Sequence, residues 1–133
     1  MIVNNCKLTQ PVCISKDSSI VEVANVLKEQ KTRNIVICED DKPIGIVSSV
    51  DIVNHVVADG KDPRKLKASD IMTTPAFSCE ASDDVRRVYF EMVKRNLFVC
   101  PVTKDGKLIG SLSMHEAVNR IKAASLEGKV HNG

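Results

Sequence analysis

The apolar positions Ile20, Val23, Ala24 and Leu27 have the spacing of one helix face, and Val85, Val88, Tyr89 and Met92 repeat that face 65 positions on. A short apolar run at 12–14 predicts a strand ahead of the first of these helices. Ser19, followed three residues later by Glu22, has the form of a capping box, and the helix it opens ends near Gln30. Two apolar, β-branched runs at 34–38 and 42–48 predict paired strands, with Asp40 and Asp41 in a tight hairpin turn. Ser48 and Ser49 are N-cap candidates for a second helix reaching about Ala58.

The second half repeats this order. It predicts a strand at 76–78 and a helix over 82–95, with Asp83 and Asp84 in the first turn, where the helix dipole favours acids. Two more strands flank the turn Lys104-Asp105-Gly106, and a helix follows over 114–124. The phrase "KPIGIVSSVD" (42–51) returns as "KLIGSLSMHE" (107–116), so Asp51 is answered by Glu116. Pro11 and Pro75 lie only 64 apart, which places a one-residue insertion near Ala76. The chain is an internal duplication, with units at 6–58 and 70–124. Residues 59–69 are polar, contain Gly60 and Pro63, and predict a linker, while the tail 125–133 is expected to fray.

A unit of about 60 residues buries too little surface to be secure alone. The expected architecture is therefore α/β (α+β): two β-α-β-β-α repeats whose sheets pack face to face about a pseudo-twofold axis. Such packing leaves two equivalent clefts between the halves.

Composition narrows the function. The chain is 43% hydrophobic and 27% charged, as in soluble globular proteins. With no Trp, one Tyr and three Phe, an aromatic platform for stacking nucleic-acid bases is not expected. A net charge of +2 is too small to imply nucleic-acid or membrane binding, and only Lys61, Arg64, Lys65 and Lys67 point toward nucleic acid. No apolar run approaches the roughly 20 residues of a membrane span, and no signal-peptide pattern is present. The five cysteines are scattered without a C-x-x-C pair, which argues against a disulfide framework or structural zinc and for a reducing, cytoplasmic setting. "HEAVN" (115–119) lacks the second His of a zinc-protease helix, and Arg86, Arg87 and "VKR" (93–95) read as a solvated helix face. No nucleophile–base constellation emerges, so no catalysis is expected.

The repeated phrase does carry binding chemistry. Gly45 and Gly110 let a ligand or a backbone approach a strand closely. Ser48 and Ser113 stand at strand-to-helix junctions, where unpaired N–H groups attract anions. Asp51 and Glu116, one helical turn on, can accept hydrogen bonds from a vicinal diol such as that of ribose. A purely structural alternative is a helix cap, with Ser48 as N-cap and Asp51 as its N3 acid.

The stretches "PVCISKDSSIVEVANVLKEQKTRNIVICEDDKPIGIVSSVDIV" and "DIMTTPAFSCEASDDVRRVYFEMVKRNLFVCPVTKDGKLIGSLSMHEAV" resemble a tandem pair of CBS domains, the Bateman module named after cystathionine β-synthase. The resemblance runs over about 6–124 and is closest at "DIMTTP" and "PVTKDGKLIG". It implies a stand-alone regulatory module with no obligatory cofactor. Its effector would be an adenosine compound, AMP, ADP, ATP or S-adenosylmethionine, reported to an unknown regulated protein. By position, Asp51 matches the family's ribose acid, Glu116 takes its place in the second copy, and Ser48 and Ser113 match the hydroxyl facing ribose or phosphate. Val12 and Phe77 match positions bordering the adenine. Where members often carry Arg or His before the acid, this chain has Val50 and His115, and Arg33 is the candidate replacement cation in the first cleft. The resemblance also implies a homodimer through the helices, with Val53, Val56, Val57, Val118 and Ile121 as candidates for its interface or for ordinary core. The alternative function is a protein-interaction scaffold with vestigial clefts.

Overall fold

The computed structural model describes residues 1–10 and 12–132, with 127–132 described as helical backbone only. A 3₁₀ turn (Val3–Asn5) leads to strand β1 (Cys13–Ser15), helix α1 (Ile20–Gln30), and strands β2 (Asn34–Glu39) and β3 (Lys42–Ser48). Helix α2 (Ser49–Ile52) passes into a π-type turn over Val53–Val57, and a short α3 (Ala68–Ile71) precedes the second repeat. That repeat comprises β4 (Cys79–Glu80), α4 (Val85–Lys94), β5 (Val99–Lys104), β6 (Lys107–Ser113) and α5 (Met114–Asn132).

The duplication extends to the fine structure. Each repeat forms a three-stranded sheet, β1-β2-β3 and β4-β5-β6, with the first pair parallel and the second antiparallel. Both hairpins shift register at the equivalent place, between Ile37 and Cys38 and between Val102 and Thr103. Both turns hold their two central residues at positive φ, Asp40 and Asp41 at 51° and 61°, Asp105 and Gly106 at 54° and 81°. That geometry matches the twist of the flanking strands, which is why Asp and Gly occupy it.

The halves join through β2 against β5 and β3 against β6, and by an exchange of leading segments. Thr73, which precedes the second repeat, pairs by two backbone hydrogen bonds with Ile46 of β3 (2.9 and 3.0 Å). Thr9, which precedes the first, pairs in the same way with Ser111 of β6 (2.9 and 3.0 Å). Ile46 accordingly belongs to the core of the second repeat, with Val88, Met92, Val102 and Leu112. Ile14, Val23, Leu27, Ile37 and Val47 form the other core.

Several boundaries differ from the sequence expectation. The expected strand at 76–78 is replaced by β4, which starts three residues later, because Cys79, not Phe77, is the buried residue paired with Val102. Helix α4 starts at Val85, not 82: Asp84 is its N-cap, accepting from the Arg87 N–H, while Asp83 accepts from the Glu80 N–H in the preceding turn. Ser19 accepts from the Glu22 N–H, half of the expected box. The expected linker is partly structured, since Ile20 N–H donates to Leu66 and α3 begins at Ala68. The last helix continues beyond 124, where its end was expected, to Asn132. The cysteine pattern argued against disulfides, yet Cys13 and Cys38 are bridged, because β1 and β2 bring together two residues 25 apart in sequence. Val56 is core, whereas Val53 and Val57 are exposed.

Candidate ligand-binding site

Between the halves lies a cleft of about 490 Å³, within the roughly 300–1,000 Å³ usual for small-molecule sites. The exchange of leading segments determines its make-up. The first repeat contributes Arg33, Asn34, Ser48 and Asp51; Thr73, Pro75, Phe77, Arg95 and Phe98 come from the second repeat and its leading segment. Phe77 therefore faces the same cleft as Asp51, although the two are assigned to different copies of the motif.

Ser48 and Asp51 form a complete capping box. The Ser48 hydroxyl accepts from the Asp51 N–H (3.1 Å), and Asp51 Oδ2 accepts from the Ser48 N–H (2.8 Å). The structural alternative raised by the sequence is thus realised, but it occupies one carboxylate oxygen. Oδ1 makes no hydrogen bond among the described residues, and Asp51 is one of the residues that line the cleft.

Two guanidinium groups supply positive charge. Arg33 lies over the Phe98 ring at 5.0 Å from its centroid, and Arg95 over Phe77 at 4.5 Å. Arg95 is shared with Glu91 (3.2 Å), whereas Arg33 has no ion-pair partner among the described residues. Cation–π contact fixes each guanidinium while leaving N–H donors for a ligand. Asn34 is buried, and its Oδ1 accepts from the Phe98 N–H (3.0 Å), tying the two repeats together at the floor of the cleft.

The other cleft is not equivalent. It measures about 220 Å³ and is lined by uncharged residues, including Thr9, Val12, Gln30, Thr32 and Ser113. Ser113 caps α5, accepting from the Glu116 N–H (3.1 Å). Glu116 reaches away from the cleft: its Oε2 accepts from the Lys7 backbone N–H (2.6 Å) and from Arg120 (3.2 Å). The Lys7 N–H holds the Glu116 carboxyl below its ordinary value, against the opposing effect of partial burial and with help from Arg120. The extra methylene of Glu thus turns the second acid into a clasp on the N-terminal segment.

Of the expected site residues, the structure brings Arg33, Ser48, Asp51 and Phe77 together, and places Val12 and Ser113 in the smaller cleft. Gly45, Gly110, His115 and Glu116 line neither. A Cβ on Gly45 would meet Met72 Sδ at 2.6 Å, and one on Gly110 would meet Leu8 Cβ at 3.1 Å and Thr9 O at 3.2 Å. The glycines admit the exchanged segments, not a ligand. His115 is exposed and contacts Asn119 (Nε2 to Nδ2, 3.2 Å). Arg95, Asn34 and Phe98 were missed. Arg95 belongs to the stretch expected as a solvated helix face; it is the C-cap residue of α4, and while it pairs with Glu91 one turn back it also stacks on Phe77 and lines the cleft. The repeat itself held the signal, because Arg95 is the counterpart of Gln30, which lines the other cleft.

A duplicated β-α-β-β-α fold with a composite cleft at the seam of its repeats defines a tandem two-domain module. The chain belongs to the CBS domain family, whose model matches residues 6–58 and 68–123. The protein MK0525 of Methanopyrus kandleri is 36% identical over 104 residues, which are 77% of this chain and 53% of that protein. YlbB of Bacillus subtilis is 30% identical over 115 residues, 81% of this chain and 77% of YlbB. The chain thus spans about half the length of the first of these relatives. In fold, it is similar to the CBS domain protein PAE2072 of Pyrobaculum aerophilum, solved complexed with AMP (TM-score 0.76, 23% identity, 87% and 89% of the two chains). It is likewise similar to the CBS domain pair of protein MJ0100, solved with 5-methylthioadenosine and S-adenosyl-L-methionine (TM-score 0.74, 23% identity, 94% and 98%).

Proposed function

We propose that this chain is a regulatory module that binds one adenine nucleotide in the larger cleft. The observation that carries this reading is the meeting, in one cleft, of the Asp51 carboxylate with two stacked guanidiniums, Arg33 and Arg95. Asp51 Oδ1 accepts from the ribose hydroxyls, Arg33 and the Ser48 end of α2 face the phosphates, and Phe77 borders the base. Two guanidiniums favour a polyanion over the sulfonium cation of S-adenosylmethionine, so AMP, ADP or ATP is the preferred class. The AMP bound by PAE2072 supports that choice of class. The nucleotide state is relayed to a regulated partner, and the exposed Val53, Val57, Phe90 and Val93 on the helices are the faces offered for a homodimer.

Isothermal titration with AMP, ADP, ATP, NAD and S-adenosylmethionine tests the reading. We expect one site per chain, filled by nucleotide and weakened about 10- to 100-fold in Asp51→Ala. Ligand at about 100 times its dissociation constant raises stability by roughly 2.7 kcal/mol, so a thermal shift accompanies it. Absence of binding by every adenosine compound overturns the proposal in favour of an interaction scaffold with vestigial clefts. The scaffold reading already has support at the second cleft, which is small and uncharged and whose acid is engaged elsewhere.

A further inference from the structure

The two sheets pin their edge strands by different chemistry. In the second repeat, the Thr103 hydroxyl on β5 reaches the Glu80 carboxylate (2.8 Å) and the Cys79 carbonyl (3.4 Å) of β4, a permanent polar fastening. In the first repeat Cys38 stands in place of Thr103, Ser15 in place of Glu80 and Ile14 in place of Cys79, so that fastening is missing, and Cys13, in place of Ser78, is the partner Cys38 takes instead. There the fastening is covalent, a disulfide across β1 and β2 with Cα atoms 5.4 Å apart. That separation lies within the usual 4.4–6.8 Å between bridged cysteines.

We infer that Cys13–Cys38 is a reversible thiol–disulfide latch, a redox modification site that sets the order of strand β1 and the shape of the smaller cleft. Three observations carry this. Cys13 is exposed and Cys38 half-buried, whereas Cys6, Cys79 and Cys100 are buried free thiols. Strand β1 is three residues long, lies at the sheet edge and pairs among the described residues with β2, with Ile14 as its one core side chain. The exposed Lys16–Glu39 ion pair (3.0 Å) is the one salt bridge across that seam among the described residues, and such pairs contribute little. The latch also adjoins a cavity: Val12 next to Cys13, and Val36, its register partner, both line the smaller cleft.

The exchange balances with a dithiol as reductant. Its thiolate attacks the exposed Cys13 sulfur, the S–S bond breaks, and Cys38 leaves as a thiolate that takes up a proton. The second thiol of the reductant then attacks the mixed disulfide and releases Cys13, leaving the reductant as a disulfide. Two electrons and two protons have passed to the protein, and a disulfide oxidant reverses the sequence. Burial raises the Cys6 thiol, and contact with Cys79 together with burial raises Cys100, so both remain protonated and stay out of the exchange.

The test uses the full chain treated with oxidised or reduced dithiothreitol, alkylated under denaturing conditions and analysed by mass spectrometry. The oxidised form should show three modified cysteines and a linked 13–38 peptide pair, the reduced form five modified cysteines. Hydrogen exchange of the β1 amides should rise about tenfold or more on reduction, while β4 stays unchanged. The double variant Cys13→Ser/Cys38→Thr, which copies the second repeat, should lose this redox response while remaining folded. A different pairing, a bridge between two chains, or β1 exchange that is the same in both states overturns the inference.

Discussion

Asp51 serves a helix and, in the proposed complex, a ribose, and the two roles separate by substitution. Its Oδ2 is bound to the Ser48 N–H at 2.8 Å, whereas Oδ1 has no partner among the described residues. Asp51→Asn retains a carbonyl oxygen for the cap but removes the charge. Asp51→Ala removes both. Loss of the return bond of the box costs about 1 kcal/mol, which in a chain of this size lowers Tm by about 3–5 °C. Hydrogen bonds to a charged acceptor contribute about 1.5–3 kcal/mol, so Asp51→Ala should weaken nucleotide binding about 10- to 100-fold. Asp51→Asn should leave Tm within about 1–2 °C of wild type and still weaken binding about tenfold, because a neutral acceptor is worth roughly half a charged one. Thermal denaturation without ligand reads the cap, and titration calorimetry reads the site. Should wild type bind nucleotide and Asp51→Asn bind it equally well, Asp51 is a cap alone and the ribose assignment fails.

Three further outcomes follow from the same geometry. Arg33→Gln should weaken ATP and AMP binding about tenfold while sparing adenosine, and Arg95→Gln should do so less because Glu91 already shares its charge; the comparison of nucleoside and nucleotide titrations checks both. Asn34→Leu leaves the Phe98 N–H without its buried acceptor at the seam, an expected loss of about 1–3 kcal/mol in urea denaturation. Glu116 has a folded pKa below its ordinary 4.5, so its contribution of about 1–2 kcal/mol is present above that value and disappears as pH falls through the lowered one. Protection factors of the 1–10 amides, each referred to the intrinsic exchange rate at its own pH, measure it across an acid titration from pH 7, and Glu116→Ala should show the lowered protection already at pH 7.

The order of elements, the hairpins and the capping motif were legible because each is local: an apolar period, a two-residue turn, a Ser three residues before an acid. What was not legible depends on distant chain. The bridge between Thr73 and Ile46 exchanges segments between repeats, so the sequence motif around Asp51 could not show that Phe77 faces it. For the same reason Gly45 and Gly110, read as room for a ligand or a backbone, receive Met72 and the Leu8–Thr9 segment. Arg95 sits at the end of α4, and its place in the cleft comes from stacking on Phe77, a contact the helical period alone does not show. The disulfide escaped notice because only parallel pairing places position 13 beside position 38.

The composite cleft also indicates how binding could become movement. A ligand shifts an equilibrium between two arrangements only by the difference in its affinity for them, and reversing a 1:99 population takes about 5.5 kcal/mol. Contacts to Asp51 and Ser48 lie on one repeat, so by themselves they strengthen binding equally however the halves are placed, whereas Arg33, though on that repeat, is stacked on Phe98 of the other. Phe77 and Arg95 belong to the other repeat, and a nucleotide reaches them together with Asp51 only when the seam is closed as in this structure. In the proposed function the cross-seam contacts therefore set the size of the signal, even where the contacts within the first repeat dominate the affinity. Weakening Arg95 or Phe77 should reduce the regulatory response more than it reduces binding.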